Sequence, residues 1–503
     1  MFCKVETAAI AGIEIRGVTV EANASEGLPM LEMIGMLSGE VKEARERVRN
    51  ALMSSGIRIP PKRITINLAP ADLPKSGTGF DLAVAAALLV CLGILPEESV
   101  PGKMFFGELG LDGSIRRIRG VLPMVCYAKE HGMNACYVPE ENAAEGGLIQ
   151  GIRVIPVHSF SQFIRIMKME EEPADPPVRE ETALSDEAVP DFSDVHGQLF
   201  LKRAAMIAAA GGHNLMIVGP PGSGKSMTAK RIAGILPPMT WEESLEVTKI
   251  YSIAGLMDER PLIRTRPFRA PHHTITSKGM AGGGRMPKPG EITLAQNGVL
   301  FLDETPEFSR SVIEVLRQPL EDKTVSISRV DGNYTFPANF ILVCSANLCP
   351  CGFWPDLSRC SCTEYERKKY FGKLGGPFLD RIDLRAQASP LTFEDLGRTS
   401  EPELDSATMR KQVTAVREVQ TARYKGTPFR CNSDLTPSAV KTFCELGSAE
   451  ETLASQMFEM WNLSARSYYK LLKVARTIAD LEGQENIRTD HLLEAGAYRC
   501  AET

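Results

Sequence analysis

The spacing of apolar and polar positions changes along the chain, and each change predicts a different kind of element. Val41 to Ser54 is charged with apolar residues at helical spacing, which predicts an amphipathic helix. Ile64-Thr65-Ile66-Asn67-Leu68 reads as a strand. The loop Pro74-Lys75-Ser76-Gly77-Thr78-Gly79 then leads into an apolar helix from Asp81. Phe105 to Ile115 reads as a hairpin turning at Asp112-Gly113. This first portion is mixed α+β.

The pattern breaks between Lys168 and Asp194. Glu170 to Asp191 carries nine acidic residues and one basic one, with Pro173, Pro176, Pro177 and Pro190 interspersed. Prolines deny the stretch a helix and charge repulsion extends it, so it reads as a linker. Beyond it, short apolar strands alternate with helices, and each strand runs into polar residues. Leu215–Val218 meets a glycine-rich loop, Val299–Leu302 meets Asp303-Glu304, and Phe340–Cys344 meets Ser345-Ala346-Asn347. Parallel α/β sheets produce this arrangement, because ligands bind at strand C-terminal ends. From about Pro402 only helical stretches remain, at Met409–Tyr424, Pro437–Leu446, Ser464–Leu481 and Asp490–Ala497. The expected division is 1–168, a linker at 169–193, an α/β domain at 194–398, and a helical domain at 399–503.

Composition narrows the class. At 503 residues the chain exceeds one typical domain, and 43% apolar with 24% charged residues is ordinary for a soluble globular protein. A net charge of −6 excludes a globally basic nucleic-acid coat but leaves room for a local basic path. The start, Met1-Phe2-Cys3-Lys4-Val5-Glu6, does not read as a signal peptide. The longest apolar run, Leu82 to Leu95, is too short to span a bilayer and is bounded by Asp81 and Pro96-Glu97. Twelve cysteines point to reduced thiols, so the expected compartment is the cytoplasm, away from membranes.

Candidate chemistry concentrates in the α/β portion. Gly219-Pro220-Pro221-Gly222-Ser223-Gly224-Lys225-Ser226 follows an apolar strand and precedes a helix, the context a phosphate-binding loop requires. Glycines let successive N–H groups turn toward phosphates, and the following helix N-terminus favours an anion. Lys225 is positioned in sequence to reach the β- and γ-phosphates of ATP, and Ser226 to ligate Mg²⁺. Asp303 is the candidate holder of the Mg²⁺ water shell, and Glu304 the candidate base for an attacking water. Asn347, after the next strand, either aligns that water or caps a turn.

Together these residues look like an AAA+ ATPase. Arg269-Ala270-Pro271-His272-His273, Gly282-Gly283-Gly284, Pro287-Lys288-Pro289-Gly290-Glu291-Ile292 and Asn297 through Glu304 resemble the magnesium-chelatase-like AAA+ proteins, and within them the ComM (YifB) family. The resemblance extends over the whole chain, to Val474 through Leu481. It implies a fold of the α/β class: a P-loop AAA+ core with a helical lid domain, preceded by an α+β Lon-protease-like domain. It also implies that Asn347 is sensor 1, that Arg381 in Leu379-Asp380-Arg381-Ile382-Asp383 is an arginine finger reaching a neighbour's γ-phosphate, and that Arg466 is sensor 2 opening a lid helix. Arg317 is a rival for the interface role. Such a composite site needs a homo-oligomer, expected to be a hexameric ring.

In the Lon-like domain, the resemblance places Gly79 where the family's serine nucleophile stands, with Ser76 the only local substitute. The second motif, around Arg119-Gly120-Val121-Leu122-Pro123, has no lysine at the matching position. A catalytically dead domain, not an active protease, is therefore expected.

Pro261 to Gly290 holds six basic residues (Arg264, Arg266, Arg269, Lys278, Arg285, Lys288) and no acidic one, and its Gly/Pro content reads as a loop insertion. Lys323 through Arg329, turning at Asp331-Gly332 and returning through Tyr334-Thr335-Phe336, reads as a hairpin. In ring ATPases of the resembled clade such insertions face the pore, where cations grip nucleic-acid phosphates; a solvated basic face is the plain alternative. No helix-turn-helix is visible, so sequence-specific recognition is not expected. Cys349-Pro350-Cys351 and Cys360-Ser361-Cys362 form two C-x-C pairs that either hold a structural Zn²⁺ or remain four reduced thiols.

The resulting expectation is an ATP-driven motor acting on single-stranded or branched DNA, with helicase and branch-migration activity on recombination intermediates. The alternative is a chelatase-type ATPase that remodels a partner protein.

Overall fold

The computed structural model describes residues 2–177, 190–257, 260–329, 332–389 and 404–499. The centre of the acidic linker (178–189), Asp331 of the expected hairpin turn, and the expected boundary at 398/399 lie outside the described residues.

The first portion builds a seven-stranded mixed sheet. Its order is Met30–Ile34, Arg63–Ala69, Glu14–Ser25, Phe2–Ala11, Lys103–Phe105, Ala135–Pro139, Arg153–Val157. Phe2–Ala11 and Glu14–Ser25 pair antiparallel from Phe2↔Asn23 to Ala11↔Glu14, around a tight turn at Gly12-Ile13 with Gly12 at φ +71°. The apolar run becomes the helix Asp81–Cys91, in which every residue is buried. A helix apolar on all sides needs cover on all sides; the sheet covers one face, and the helix Gly39–Ser54 packs on another. Its one charge, Asp81, is met by Arg47 of the helix Gly39–Ser54 at 2.6 Å. The expected hairpin is shorter than its sequence suggested. Glu108–Leu109 pairs with Ile115–Arg116, while Phe105 belongs to the large sheet.

The acidic stretch is docked at both described ends. Arg165 pairs with Glu171 at 2.8 Å, and Asp191 accepts hydrogen bonds from the Ser193 and Ser406 N–H groups at 2.8 and 3.2 Å.

After the linker comes a five-stranded parallel sheet in the order Phe268–Arg269, Val299–Leu302, Ile341–Ala346, Leu215–Val218, Leu384–Gln387. The three central strands are wholly buried, as near-continuous Val/Ile/Leu runs require. All run the same way, so Gly219, Asp303 and Asn347 emerge at one edge. Two expectations about the basic insertion are corrected here. Phe268–Arg269 is not loop but the sheet's edge strand, and Ser277–Ala281 is a short helix.

The C-terminal helices are Ser406–Arg423, Pro437–Phe443, Ser448–Met460, Ala465–Leu481 and Thr489–Ala497. Ser448–Met460 carries no strong apolar stripe, with only Ala454 and Met457 buried, and the sequence pattern did not single it out. The bundle has no core of its own. Met409, Val413, Leu471, Val474 and Ile478 share one apolar cluster with Leu201, Ala205 and the sheet residues Leu215, Val343 and Leu384.

The N-terminal portion meets the α/β portion beside Gly120 and again at the Gly12 turn. The Gly120 N–H donates to the Ser252 carbonyl at 3.1 Å, and an Arg117 Nη donates to the Met257 carbonyl at 3.0 Å. At the second place the turn at Gly12 lies under the Tyr334 ring of the hairpin, where an added Cβ would stand 2.7 Å from Tyr334 Cδ1. No helix among the described residues is long and apolar enough to cross a membrane.

Candidate active site

The loop Gly219–Ser226 leaves the strand Leu215–Val218 and enters the helix Lys225–Ile235. Its three glycines serve different ends. Gly222 and Gly224 stand at φ +76° and +83°, which L side chains resist. Gly219 is needed for space, since an added Cβ would sit 2.8 Å from the Ala388 carbonyl oxygen. Ser223 Oγ donates to the Pro220 carbonyl at 2.8 Å and stiffens the turn.

Lys225 Nζ donates to the carbonyls of Gly219 and Pro220, each at 2.8 Å, and to Asn347 Oδ1 at 3.1 Å. The third contact joins loop and neighbouring strand, 122 residues apart in sequence. Burial pushes the Lys225 ammonium below the ordinary lysine range, and the Asp303 and Glu304 carboxylates pull it partly back.

Ser226 Oγ donates to Asp303 Oδ2 at 2.8 Å. A hydroxyl and a carboxylate at that separation form a hard oxygen donor set that suits Mg²⁺. Ser345 was not anticipated. Its hydroxyl donates to Asp303 Oδ1 and accepts from the Glu304 N–H at 3.0 Å. The available signal was a fully buried serine inside the apolar strand Ile341–Ala346. Glu304 has φ +49° and ψ 49°, a left-handed conformation uncommon for residues other than glycine. The chain thus turns sharply after Asp303, and strain of this kind persists only where surrounding contacts enforce it.

Arg381 and Arg466 do not join this group. An Arg381 Nη meets Glu321 Oε1 at 2.9 Å, and an Arg466 Nη contacts the same oxygen. Arg381 also donates to the carbonyls of Arg317 and Pro377, at 2.9 and 2.5 Å. Arg317 itself stays out of the cluster's side-chain contacts, its Nε buried with no hydrogen-bond partner. The Arg381 carbonyl accepts from Asn214 Nδ2 at 3.0 Å, at the opposite end of the strand Leu215–Val218 from Gly219. Four residues at ~3.3 Å each put about 13 Å of strand between that end and the loop. The arginine pair lines a cavity of about 940 Å³ with Glu321, Lys470 and Lys473.

Below this cavity lies a buried polar network. Lys470 pairs with Asp383 at 2.7 Å, Asp383 also accepts from the Asn214 N–H at 2.9 Å, and His213 Nε2 lies 2.8 Å from Thr477 Oγ1. Burial alone would raise the Asp383 carboxyl, but Lys470 and His213 overcome it and hold the group well below its usual range.

Two of the six cations of the basic insertion are taken up by ion pairs. Arg266 is half-buried against Glu243 at 2.9 Å, and Arg269 is held by Glu291 at 2.6 Å. Lys278, Arg285, Lys288 and Arg329 are exposed. They surround the glycine run: an added Cβ at Gly283 would lie 3.4 Å from an Arg329 Nη and 3.7 Å from Lys278 Cγ. Arg329 Nε donates to the Gly284 carbonyl at 3.2 Å, which ties the hairpin Thr324–Arg329/Gly332–Pro337 to the insertion.

The four cysteines Cys349, Cys351, Cys360 and Cys362 converge, all sulfurs within 4.8 Å of one another. Cys349–Cys351, Cys351–Cys360 and Cys349–Cys360 stand at 3.3, 3.5 and 3.7 Å, and all are free thiols. The Phe353 N–H, with help from neighbouring thiols, draws the Cys351 thiol down to about 6.

In the N-terminal portion, Gly79 offers no nucleophile, Gly120 stands at φ +75°, and the Lys75 ammonium donates to the Pro70 carbonyl.

Comparison with known proteins places this geometry in context. The family model described as magnesium chelatase, subunit ChlI, matches residues 191–396; subunit ChlI of Mg-chelatase matches 20–142; and magnesium chelatase, subunit ChlI C-terminal, matches 403–499. The chain is 40% identical over 496 residues to the uncharacterized protein YifB of Salmonella typhimurium, covering 99% of this chain and 96% of that one. It is 38% identical over 492 residues to the competence protein ComM of Haemophilus influenzae, covering 97% and 96%. Lon protease 2 of Bacillus subtilis matches 153 residues at 28% identity, 30% of this chain and 26% of that one.

Proposed function

The chain belongs to the magnesium-chelatase-like AAA+ ATPase family that includes ComM and YifB, and from that premise we propose that it is a ring-forming motor that hydrolyses ATP to move along DNA. The observation that carries the reading is the separation of Arg381 and Arg466 from Lys225 across one parallel sheet. A site with its phosphate-holding residues at one sheet edge and its arginines held on Glu321 at the other would be completed by a second copy.

Within one subunit the loop N–H groups and Lys225 bind the phosphates, and Ser226 with Asp303 would hold Mg²⁺, which screens their charge. Glu304 takes the proton of the attacking water, and Asn347, already bonded to Lys225, orients that water. Arg381 and Arg466 both enter the neighbour's site, so Arg466 acts between subunits and not as a lid over its own nucleotide. Fixed cations on the γ-phosphoryl group stabilise its transition-state charge, an effect worth ~10³–10⁵ in rate when supplied in trans. The exposed quartet Lys278, Arg285, Lys288 and Arg329 is the proposed DNA contact, with hexameric stoichiometry and branch migration of recombination intermediates drawn from the family resemblance. Likeness to a protein named for competence supports a place in natural transformation. The Lon-like domain is proposed to be catalytically silent, and the four thiols to hold a structural Zn²⁺.

The family models are named for magnesium chelatase, which favours the second reading, remodelling of a partner protein. ATPase rate and strand displacement with single-stranded and forked DNA separate the two. DNA should stimulate turnover, and Lys225→Ala should abolish both activities. Turnover indifferent to DNA would overturn the motor reading in favour of remodelling.

A further inference from the structure

The cysteine cluster is packed onto the ATP site itself. Two residues after Asn347 the chain reaches Cys349, and the segment to Cys362 contains neither helix nor strand. It has almost no core: between Pro350 and Cys362 only Gly352 is buried, and Leu357 is 76% exposed. Arg359 stacks on Phe353 at 4.0 Å and Arg367 on Trp354 at 3.5 Å, and within the segment only Trp354 packs against the neighbouring apolar cluster. A loop of this length with so little buried surface needs a staple. The separations among the Cys349, Cys351 and Cys360 sulfurs, 3.3 to 3.7 Å, exceed a disulfide bond, and with the Cys362 sulfur within 4.8 Å of each they are close to those of four thiolates around one ion. At a Zn–S distance of ~2.3 Å, neighbouring sulfurs stand about 3.8 Å apart. Trp354 N–H also donates to Cys349 Sγ at 3.4 Å, the kind of outer hydrogen bond that orients a thiolate ligand.

Gly352 connects the knuckle to the nucleotide loop. It stands at φ +84°, and an added Cβ would lie 2.8 Å from Pro221 Cγ, 3.0 Å from Pro221 Cδ and 4.0 Å from Asn347 Nδ2. The knuckle backbone is therefore pressed against the tip of the phosphate-binding loop, beside the side chain that bonds Lys225.

We propose that Zn²⁺ held by Cys349, Cys351, Cys360 and Cys362 fixes Gly352 against Pro221, so that metal occupancy controls nucleotide binding at the loop. The coupling rests on the reading of Gly219–Ser226 as the ATP site; the metal site does not.

The test uses the full chain purified without chelator. Elemental analysis should find about one zinc per chain. Stripping the metal should weaken binding of a fluorescent ATP analogue about tenfold or more, since small displacements of a binding loop carry penalties of that order. Re-added Zn²⁺ should restore it. Cys360→Ser with Cys362→Ser should lose both zinc and affinity. Pro221→Ala guards against general unfolding: it should keep its zinc, and its affinity should no longer respond to stripping. Lys225→Ala should lose nucleotide and keep zinc. Protein without zinc, or equal nucleotide affinity in loaded and stripped wild type, would overturn the proposal. One zinc per chain with no nucleotide bound in any state would instead overturn the ATP-site reading and the coupling with it, leaving the metal site standing.

Discussion

Arg381 and Arg466 share one carboxylate oxygen, Oε1 of Glu321, although 85 residues separate them in sequence (466 − 381). Glu321 thus holds two cations at one point on the sheet edge opposite the phosphate loop. If both serve a neighbour's nucleotide, each single substitution to Ala should cut ATP turnover by ~10³ or more while leaving nucleotide binding by the same subunit largely intact. Mixing Lys225→Ala subunits with Arg381→Ala subunits should recover activity above either alone. No recovery in mixed assemblies would argue that the arginines act within their own chain.

Ser345 links the two acidic residues, holding Asp303 by its hydroxyl and Glu304 by its oxygen lone pair. Glu304→Gln should bind ATP and hydrolyse it ~10²–10⁴-fold more slowly, the range for loss of a general base. Ser345→Ala should be milder, about 10- to 100-fold, because a hydrogen bond to a charged group contributes ~1.5–3 kcal/mol. It should also raise the Mg²⁺ concentration needed for half-maximal turnover. A normal Mg²⁺ requirement in Ser345→Ala would show that the contact is structural only.

The basic insertion yields a prediction that distinguishes its cations from one another. Lys278→Ala and Arg329→Ala should each lower the salt dependence of single-strand binding by about 0.7 in the log–log slope, the value for one lost phosphate contact. Arg266→Ala and Arg269→Ala should instead lower thermal stability, because they leave Glu243 and Glu291 without their partners. Binding isotherms at several salt concentrations and melting curves check both halves.

Acid should loosen the junction between the parallel sheet and the helical bundle. Burial lowers the His213 pKa, against a pull upward from Asp383 at 3.8 Å. With the folded value below the unfolded value of ~6.5, the unfolded chain takes up the proton first. Stability is therefore lost as pH falls from about 6.5 toward the folded value, by at most ~1.4 kcal/mol per pH unit for this one proton. Asp383, also depressed, adds its own loss only below ~3.9. Melting temperatures at pH 7.5, 6.5 and 5.5 should fall more steeply in the wild type than in His213→Gln. Parallel curves would remove His213 as the cause.

The features legible in the sequence are those whose physics is local. A loop with Gly222 and Gly224 at positive φ, followed at once by Lys225 and a helix, is specified by contiguous residues. The same holds for strands recognisable by apolar runs ending at Asp303 and Asn347. The full burial of Asp81–Cys91 could be anticipated from its composition, and the helix Ser448–Met460 could not, because its buried side is only two residues wide.

Tertiary structure alone decided which side chains meet. Six basic residues between Pro261 and Gly290 look equivalent until Arg266 and Arg269 find Glu243 and Glu291, and four cysteines look like a spacing until Gly352 is seen against Pro221. The chain by itself determined the glycine-rich loop Gly219–Ser226 and the sheet that carries it. The sharing of Glu321 by Arg381 and Arg466, the bracing of Asp303 by Ser345, and the seating of the cysteine knuckle on the loop arise from packing between residues distant in sequence, which no local pattern encodes.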